Sequence, residues 1–396
     1  MTPGAVVVGA HVNGLGIIRS LARRHVPIAV VSTRSYDIAQ HSRWVSECGE
    51  FFELHEEPDS LADYLEHHRD RWRGRAVFPT NDDSMTALAR HHERLSRHYR
   101  MTVQPWETVA DLIDKDGMDE LARSVGLDVP VCYGPADEET ADKAIRYPVV
   151  VKPIQHDRLI SSFGVKLFLA RNHEELAAAI ERLREAGLRG LVFEFIPGRD
   201  SDIYVYCVYL DAQGEPTAGV TVRKLRQNPP LIGGARVAQI APEVPGLREA
   251  TVELLRRAGF RGMAFAEFKR DARTGRFAFV EVNGRAVLFN SILPPTGIDL
   301  ADMAWSDFAL GERPTRDRTD WNGSWIHLQA DIRCSLVYRR EERLSPAELV
   351  APYRRPKTYA VWSASDPRPY LAQSAMGLRG VWAGIRGAGA ARNGSR

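Results

Sequence analysis

The stretch Met263–Arg285, MAFAEFKRDARTGRFAFVEVNGR, decides how this chain is read. Two apolar, strand-like runs, Met263–Arg270 and Arg276–Asn283, flank the turn Asp271-Ala-Arg-Thr-Gly275, and the pattern predicts a hairpin. Glu281 and Asn283 are two residues apart on one strand and project from the same face. With the turn centred near Arg273 and Thr274, Glu267 falls roughly opposite Glu281. Like charges that face each other across a ladder are destabilising, and a cation between them removes the penalty. Two carboxylates and an amide oxygen form a hard oxygen set of the kind magnesium accepts, with water and phosphate oxygens completing its shell. A solvated hairpin face with incidental acids has the same spacing, and spacing alone leaves the two readings level. Arg285, two residues beyond Asn283, favours function, because a guanidinium suits an anionic acyl or phosphoryl group.

Cations are the next signal outward. Lys152 ends an apolar strand, Tyr147-Pro-Val-Val-Val-Lys-Pro153, where a lone charge is normally avoided, so it is expected to face an anion; an edge lysine reaching solvent is the plain alternative. Lys115 stands among acids at a helix start, a place that favours anions over cations. Alone it reads as an ordinary surface lysine. The polar loop Ile154–Gly164 (IQHDRLISSFG), followed by Lys166, could close over phosphates through its N–H groups, although it lacks a P-loop pattern. In Leu191–Asp200 (LVFEFIPGRD), a strand runs into the turn Pro197-Gly198; its backbone could meet an adenine edge, with Asp200 near a ribose hydroxyl. A strand ending in a turn explains that segment equally well.

The first hundred residues alternate short apolar strands (Ala5–Val8, Ile28–Val31, Ala76–Phe78) with helix-like stretches (Gly14–His25, Leu61–Trp72, Ser84–Arg97), which argues for a parallel sheet covered by helices. The glycines of Gly9–Gly16 (GAHVNGLG) sit where a strand passes into a helix, a place that suits an anion. Their spacing is not GxGxxG and no acid ends the second strand, so a dinucleotide site is not expected. Pro79-Thr-Asn-Asp-Asp83 reads either as a recognition segment for a polar substrate or as a domain-interface closure. A helical connector, Trp106–Gly126, leads into an α+β pattern with strands at Pro148–Lys152, Val165–Leu169, Leu191–Ile196, Ile203–Leu210 and Thr217–Lys224 and a helix at His173–Ala186. Asn228–Gly234 (NPPLIGG) predicts a shaped loop. Trp321–Tyr338 is expected to supply a strand or two, and the tail from Gly384 reads as disordered.

The 396 residues exceed one ordinary core. A composition of 44% hydrophobic and 26% charged residues is that of a soluble globular protein, and a net charge of +2 gives no reason to expect a nucleic-acid partner. Cys48, Cys132, Cys207 and Cys334 are far apart, which reads as reduced, mostly buried thiols rather than a zinc site or disulfide framework. No secretory leader and no run approaching the ~20 apolar residues of a transmembrane helix is visible, so the expected location is cytoplasmic.

Taken in order, DKDGMDELARSVGLDVP, YPVVVKP, VFEFIPGRD, AEFKRD and FVEVNGR resemble the ATP-grasp superfamily over roughly residues 5 to 290. Together with KLRQNPP at Lys224–Pro230, they are similar in particular to its carboxylate–amine ligase branch, which includes D-aspartate ligases. The resemblance implies an α/β pre-ATP-grasp domain with a parallel sheet (1–105), followed by a two-subdomain ATP-grasp fold of mixed α/β and α+β character. That fold would comprise a linker and small subdomain (106–190) and a large subdomain with the metal site (191–320). An extension packing on the large subdomain (321–383) and the tail (384–396) complete the division.

The resemblance further implies that Lys115, Lys152 and Lys166 meet the nucleotide phosphates. Glu194, Phe195 and Ile196 would bind adenine, and Asp200 the ribose. Glu267, Glu281 and Asn283 would ligate magnesium or manganese, while Arg285, Lys152 and Arg223 serve the acyl phosphate. Two departures stand out: the phosphate loop is not glycine-rich, and Gly284 occupies the position of the family's usual proline. The implied enzyme is an ATP-dependent ligase that joins small, amino-acid-like carboxylates and amines through an acyl phosphate, and a homodimer is compatible with it. The alternatives are a different nucleophile, an amine on a large acceptor such as a cell-wall precursor or peptide, and a non-catalytic nucleotide-binding regulatory protein.

Overall fold

The computed structural model describes residues 2–33, 37–52, 54, 59–113, 115–153, 163, 167–314, 316–340 and 344–377. The first sheet has five parallel strands in the order β3-β2-β1-β4-β5. These are β1 (Ala5–Val8), β2 (Ile28–Ser32), β3 (Val45–Phe51), β4 (Ala76–Pro79) and β5 (Arg100–Met101). Strands β1, β2 and β4 are buried along their length, as their continuous apolar runs require in a sheet covered on both faces. Strand β3 was not anticipated. It is a half-exposed edge of sequence VSECGEF, too polar to stand out. Three helices of this region are α1 (Val12–Ala22), α2 (Ser60–His67) and α3 (Asp82–Arg90). Asn81 starts α3 by accepting the Ser84 N–H at 2.8 Å, with the Ser84 hydroxyl 3.2 Å from the Asn81 N–H, a reciprocal cap.

The glycines around α1 serve close packing. A Cβ at Gly14 would lie 2.2 Å from the Gly9 carbonyl oxygen, and one at Gly16 1.7 Å from Asn290 Oδ1. The anion at this strand-to-helix passage is internal: buried Asp37 accepts the Ala10 and Thr33 N–H groups, each at 3.0 Å.

A four-stranded antiparallel sheet follows, in the order β6-β9-β7-β8. Its strands are β6 (Cys132–Pro135), β7 (Val149–Pro153), β8 (Phe168–Ala170) and β9 (Gly190–Glu194). The expected boundary between residues 190 and 191 therefore falls inside this sheet, because β9 pairs with both β6 and β7. Val149, Val151 and Val192 face the His173–Glu185 helix in a small core of their own.

The third sheet has seven strands in the order β14-β13-β10-β11-β12-β15-β16. In chain order they are β10 (Ile203–Leu210), β11 (Pro216–Asn228), β12 (Gly234–Ile240), β13 (Gly262–Arg270), β14 (Phe277–Asn283), β15 (Ser324–Ile326) and β16 (Lys357–Tyr359). All neighbours are antiparallel except β15 and β16. Period-two alternation divides it into two faces. Cys207, Val220 and Phe265 share one core with α1 and the Leu300–Trp305 helix. Tyr206, Val208, Ala266 and Phe268 point the other way, into the core that includes the Leu247–Arg257 helix.

The region from Trp321 to Tyr338 corrects the expectation of strands alone. Strand β15 is short, and the Leu328–Arg340 helix follows it. That helix is fastened to β11 by a buried ion pair. Arg226 Nε and Nη2 donate to the two Asp331 oxygens at 2.7 Å each, and the Tyr353 hydroxyl adds a bond to Oδ2 at 2.6 Å. Cys207 and Cys334 are buried, whereas Cys48 and Cys132 are exposed, so the thiols are not mostly buried. Among the described residues no helix is long and apolar enough to cross a membrane. The tail expected to be disordered lies outside the described residues.

Removing one partner of a buried charge pair strands the other. Asp331→Ala is expected to lower the free energy of unfolding by about 3–5 kcal/mol, measured as a shift of the urea midpoint.

Candidate active site

Strand register puts the acids where the hairpin predicts. Glu267 lies opposite Glu281 and Phe265 opposite Asn283, with a bulge between Glu267 and Phe268. Glu267, Glu281 and Asn283 therefore share the face that carries Phe265 and Cys207. The Asn283 amide donates to Glu281 Oε1 at 3.1 Å. The positive charge that the facing acids demand is supplied by Lys224, whose Nζ is 2.5 Å from Glu267 Oε2. It was missed as a site residue, although alternation from Val220 and Val222 puts it on this face. Among the described residues no three His, Cys, Asp or Glu side chains converge. A divalent ion here would rest on two carboxylates and one amide oxygen, which fits magnesium with its remaining positions filled by water and phosphate.

Arg285 lies just beyond. It grips Asp82 with both arms, Nε to Oδ1 at 2.7 Å and Nη2 to Oδ2 at 2.8 Å. Burial alone would lower this guanidinium, but the charges of Asp82 and Glu281 outweigh it and raise its pKa. The Pro79–Asp83 segment thus closes the contact between the first sheet and the end of β14. Asn13 ties the same junction, donating to the Thr80 and Ala286 carbonyls at 3.0 and 3.1 Å.

The turn after β9 docks against the acids' strand. Lys269, two residues along from Glu267, donates to the carbonyls of Gly198 and Arg199 at 3.0 and 2.5 Å. The Glu194 carboxylate accepts from Arg273 at 3.1 Å, and Arg273 hydrogen bonds hold Asp271 below the usual carboxylate range. The Glu194 N–H is taken by Val131 O and the Phe195 N–H by Pro148 O. Lys152 lies on the β7 face away from the small core, with Nζ 4.9 Å from the Phe193 ring centre. The Lys115 side chain, Lys166 and, apart from Phe163, the Ile154–Gly164 loop lie outside the described residues.

Two expected site residues have partners within the protein. Arg223 pairs across the sheet with Tyr204, on the face opposite the acids. It lies 5.3 Å over that ring and donates from Nε to the Ser201 carbonyl, directed away from the acids. Asp200, the expected ribose contact, is engaged within the protein. It is 1% exposed and accepts from Gln227 N (3.0 Å), Gln227 Nε2 (2.9 Å), Leu231 N (2.8 Å) and the Tyr338 hydroxyl. This knot holds Leu231 in the left-handed region, at φ 71°. A carboxyl at a strand exit looks the same in sequence whether it meets a ligand or its own backbone.

No protein-family model matches the chain. It is 22% identical over 254 residues to a D-aspartate ligase of Enterococcus faecium, covering 61% of this chain and 60% of that protein. It is 32% identical over 93 residues to a D-alanine–D-alanine ligase of Fusobacterium nucleatum, covering 24% of this chain and 28% of that one. The matches thus span less than two thirds of either relative. Among solved structures, the N5-carboxyaminoimidazole synthetase of Staphylococcus aureus, complexed with ADP, superposes with a TM-score of 0.64 at 13% identity over 86% of this chain and 88% of that one.

Asp200→Asn keeps the shape of the knot but places a donor where N–H and O–H groups already point. It is expected to destabilise the fold by about 1–3 kcal/mol in urea titration while ADP affinity stays within about twofold. Weaker ADP binding with unchanged stability would restore Asp200 to the ribose.

Proposed function

This chain has the ATP-grasp fold, and from that premise we propose that it is an ATP-dependent carboxylate–amine ligase whose magnesium–nucleotide site is built on Glu267, Glu281 and Asn283. The observation that carries the proposal is the Glu267–Glu281 pair facing across β13 and β14, with Asn283 on the same face and Lys224 balancing the charge. Magnesium bound there would draw charge from the phosphoryl group during transfer. Lys152 is proposed to meet the phosphates, together with Lys115 and Lys166. The β9 exit at Glu194–Ile196 would line the adenine, chiefly through carbonyl oxygens and the Ile196 N–H, because the two preceding N–H groups are engaged within the protein.

The reaction follows from these roles. The substrate carboxylate attacks the γ-phosphorus of ATP, the bond to the bridging oxygen breaks, and ADP leaves as an acyl phosphate forms. Arg285 exchanges Asp82 for this anion, since the same bidentate fork suits either carboxylate or phosphoryl oxygens. An amine then attacks the acyl carbon, phosphate leaves, and a proton is lost from nitrogen to give the amide. No side-chain nucleophile takes part. The likeness to D-aspartate and D-alanine–D-alanine ligases supports amino-acid substrates, with aspartate as the first to try. A small acceptor is proposed over a macromolecular one.

Phosphate release from ATP, assayed against amino acids singly and in pairs, is expected to require one carboxylate and one amine together. Glu281→Gln is expected to lower that rate at least about a thousandfold with an unchanged circular dichroism spectrum and melting midpoint. Turnover near wild type in this variant would remove the metal assignment.

A further inference from the structure

The face of the large sheet that carries the acids also carries another cation. On β12, Ala238 lies opposite Lys224 on one side and opposite Trp325 on the other. Arg236 is the residue skipped at a bulge between Ala235 and Val237, and it is the position of its Nη1 beside Gly234, next to Leu288 of the core on this face, that places the guanidinium here. Its main chain is fixed, because its carbonyl accepts the His327 N–H at 2.8 Å. Among the described residues nothing neutralises its guanidinium. Nη1 donates to the Ala235 carbonyl at 3.0 Å, Nε is buried without an acceptor, and among the described residues no carboxylate pairs with it.

Arg226, on the other strand of the same hairpin, shows what a structural arginine looks like here, with both arms on Asp331. Arg236 is half-buried, and among the described residues it has no such anion. Burial lowers its pKa, and burial together with the Arg236 charge pushes His327 down to about 4, so the imidazole beside it is neutral at neutral pH. A partly desolvated cation with no partner costs stability, and such costs are retained where a ligand supplies the missing charge. Gly234 lets the guanidinium lie close against the chain, since a Cβ there would be 3.0 Å from Leu288 Cδ1 and 3.4 Å from Arg236 Nη1. Leu288 follows Arg285 by three residues, so the guanidinium borders the segment that leaves the metal strand.

Its distance from the acids limits its role. β12 is three strands from β13, roughly 14 Å at the usual strand spacing, so Arg236 and Glu267 do not grip the same atoms. We propose that Arg236 is a specificity-determining residue that holds a carboxylate which does not react, at the end of the substrate remote from the metal. The inference rests on the ligase reading above and deepens it. Such a carboxylate could belong to a diacid acyl donor or to an amino-acid acceptor, and the two sources are separable by experiment.

The test is titration calorimetry on the full chain saturated with magnesium–ADP. Aspartate and its two monoamides probe the donor, while alanine and alaninamide probe the acceptor. In wild type, one amino acid is expected to bind, and its amide at the relevant carboxylate to bind on the order of thirty-fold more weakly. Arg236→Met should weaken the parent amino acid by a similar factor, and Arg236→Lys should recover part of it. Magnesium–ADP affinity should not change, and the melting midpoint of Arg236→Met should equal or exceed that of wild type, whereas a structural arginine would lower it. Equal amino-acid binding by wild type and Arg236→Met overturns the proposal. So does the absence of aspartate and alanine binding to a wild type that does bind magnesium–ADP. A wild type that binds no magnesium–ADP overturns the ligase reading itself.

Discussion

Two carboxylates facing each other on adjacent antiparallel strands are the constraint around which the site is arranged. Left alone, Glu267 and Glu281 would push β13 and β14 apart. Lys224 reaches from β11 across the intervening strand β10 to Glu267, so the charge balance depends on the registers of three strand pairs at once. A one-residue slip in any of them would turn one member of the set to the opposite face. The long apolar rows of Val205, Cys207, Val220, Val222 and Phe265 on the same face oppose that slip, because it would expose them. Hydrophobic burial at one end of the face thereby fixes charge geometry at the other.

The same dependence extends to the first sheet. Arg285 leaves β14 and is caught by Asp82 at the start of α3, while Asn13 bridges the Thr80 and Ala286 carbonyls and Asn290 donates back to Asn13 O at 2.8 Å. This junction requires Gly16, since a methyl group there would occupy the space of the Asn290 amide. Glycines that looked suited to an anion thus hold α1 close to the segment that follows β14. The carboxylate of Asp82 shapes the position of Arg285 as much as any ligand would.

How much of this was legible in the sequence depended on how local the signal was. The hairpin, its turn and the opposed glutamates follow from alternation within about twenty residues, and the register bears that out. The parallel strands of the first sheet were legible as short β-branched runs. Strand β12 and the Leu247–Arg257 helix were passed over, because the proline- and glycine-rich loop before them ended the readable pattern. The face of Arg223 and the internal partners of Asp200 were not legible, for a physical reason. Residue type announces a charge, but which face it lies on depends on strand parity, and what neutralises it depends on residues far along the chain. Tyr338, a partner of Asp200, is 138 positions away.

The hairpin of β11 and β12 brings these threads together. It carries Lys224, Arg226 and Arg236, and their surroundings sort them by partner. Lys224 meets a carboxylate of the candidate metal site and Arg226 a buried structural carboxylate, while Arg236, among the described residues, meets a carbonyl. Cations of one hairpin thus have different electrostatic fates, because the bulges beside Lys224 and Arg226 break strict alternation and send their side chains to different neighbours. A bulge costs ladder hydrogen bonds. Here it lets one strand brace the Leu328–Arg340 helix through Arg226 while Lys224 still faces the acids. Cations are therefore divided between holding the fold and facing the site by local strand geometry rather than by residue type.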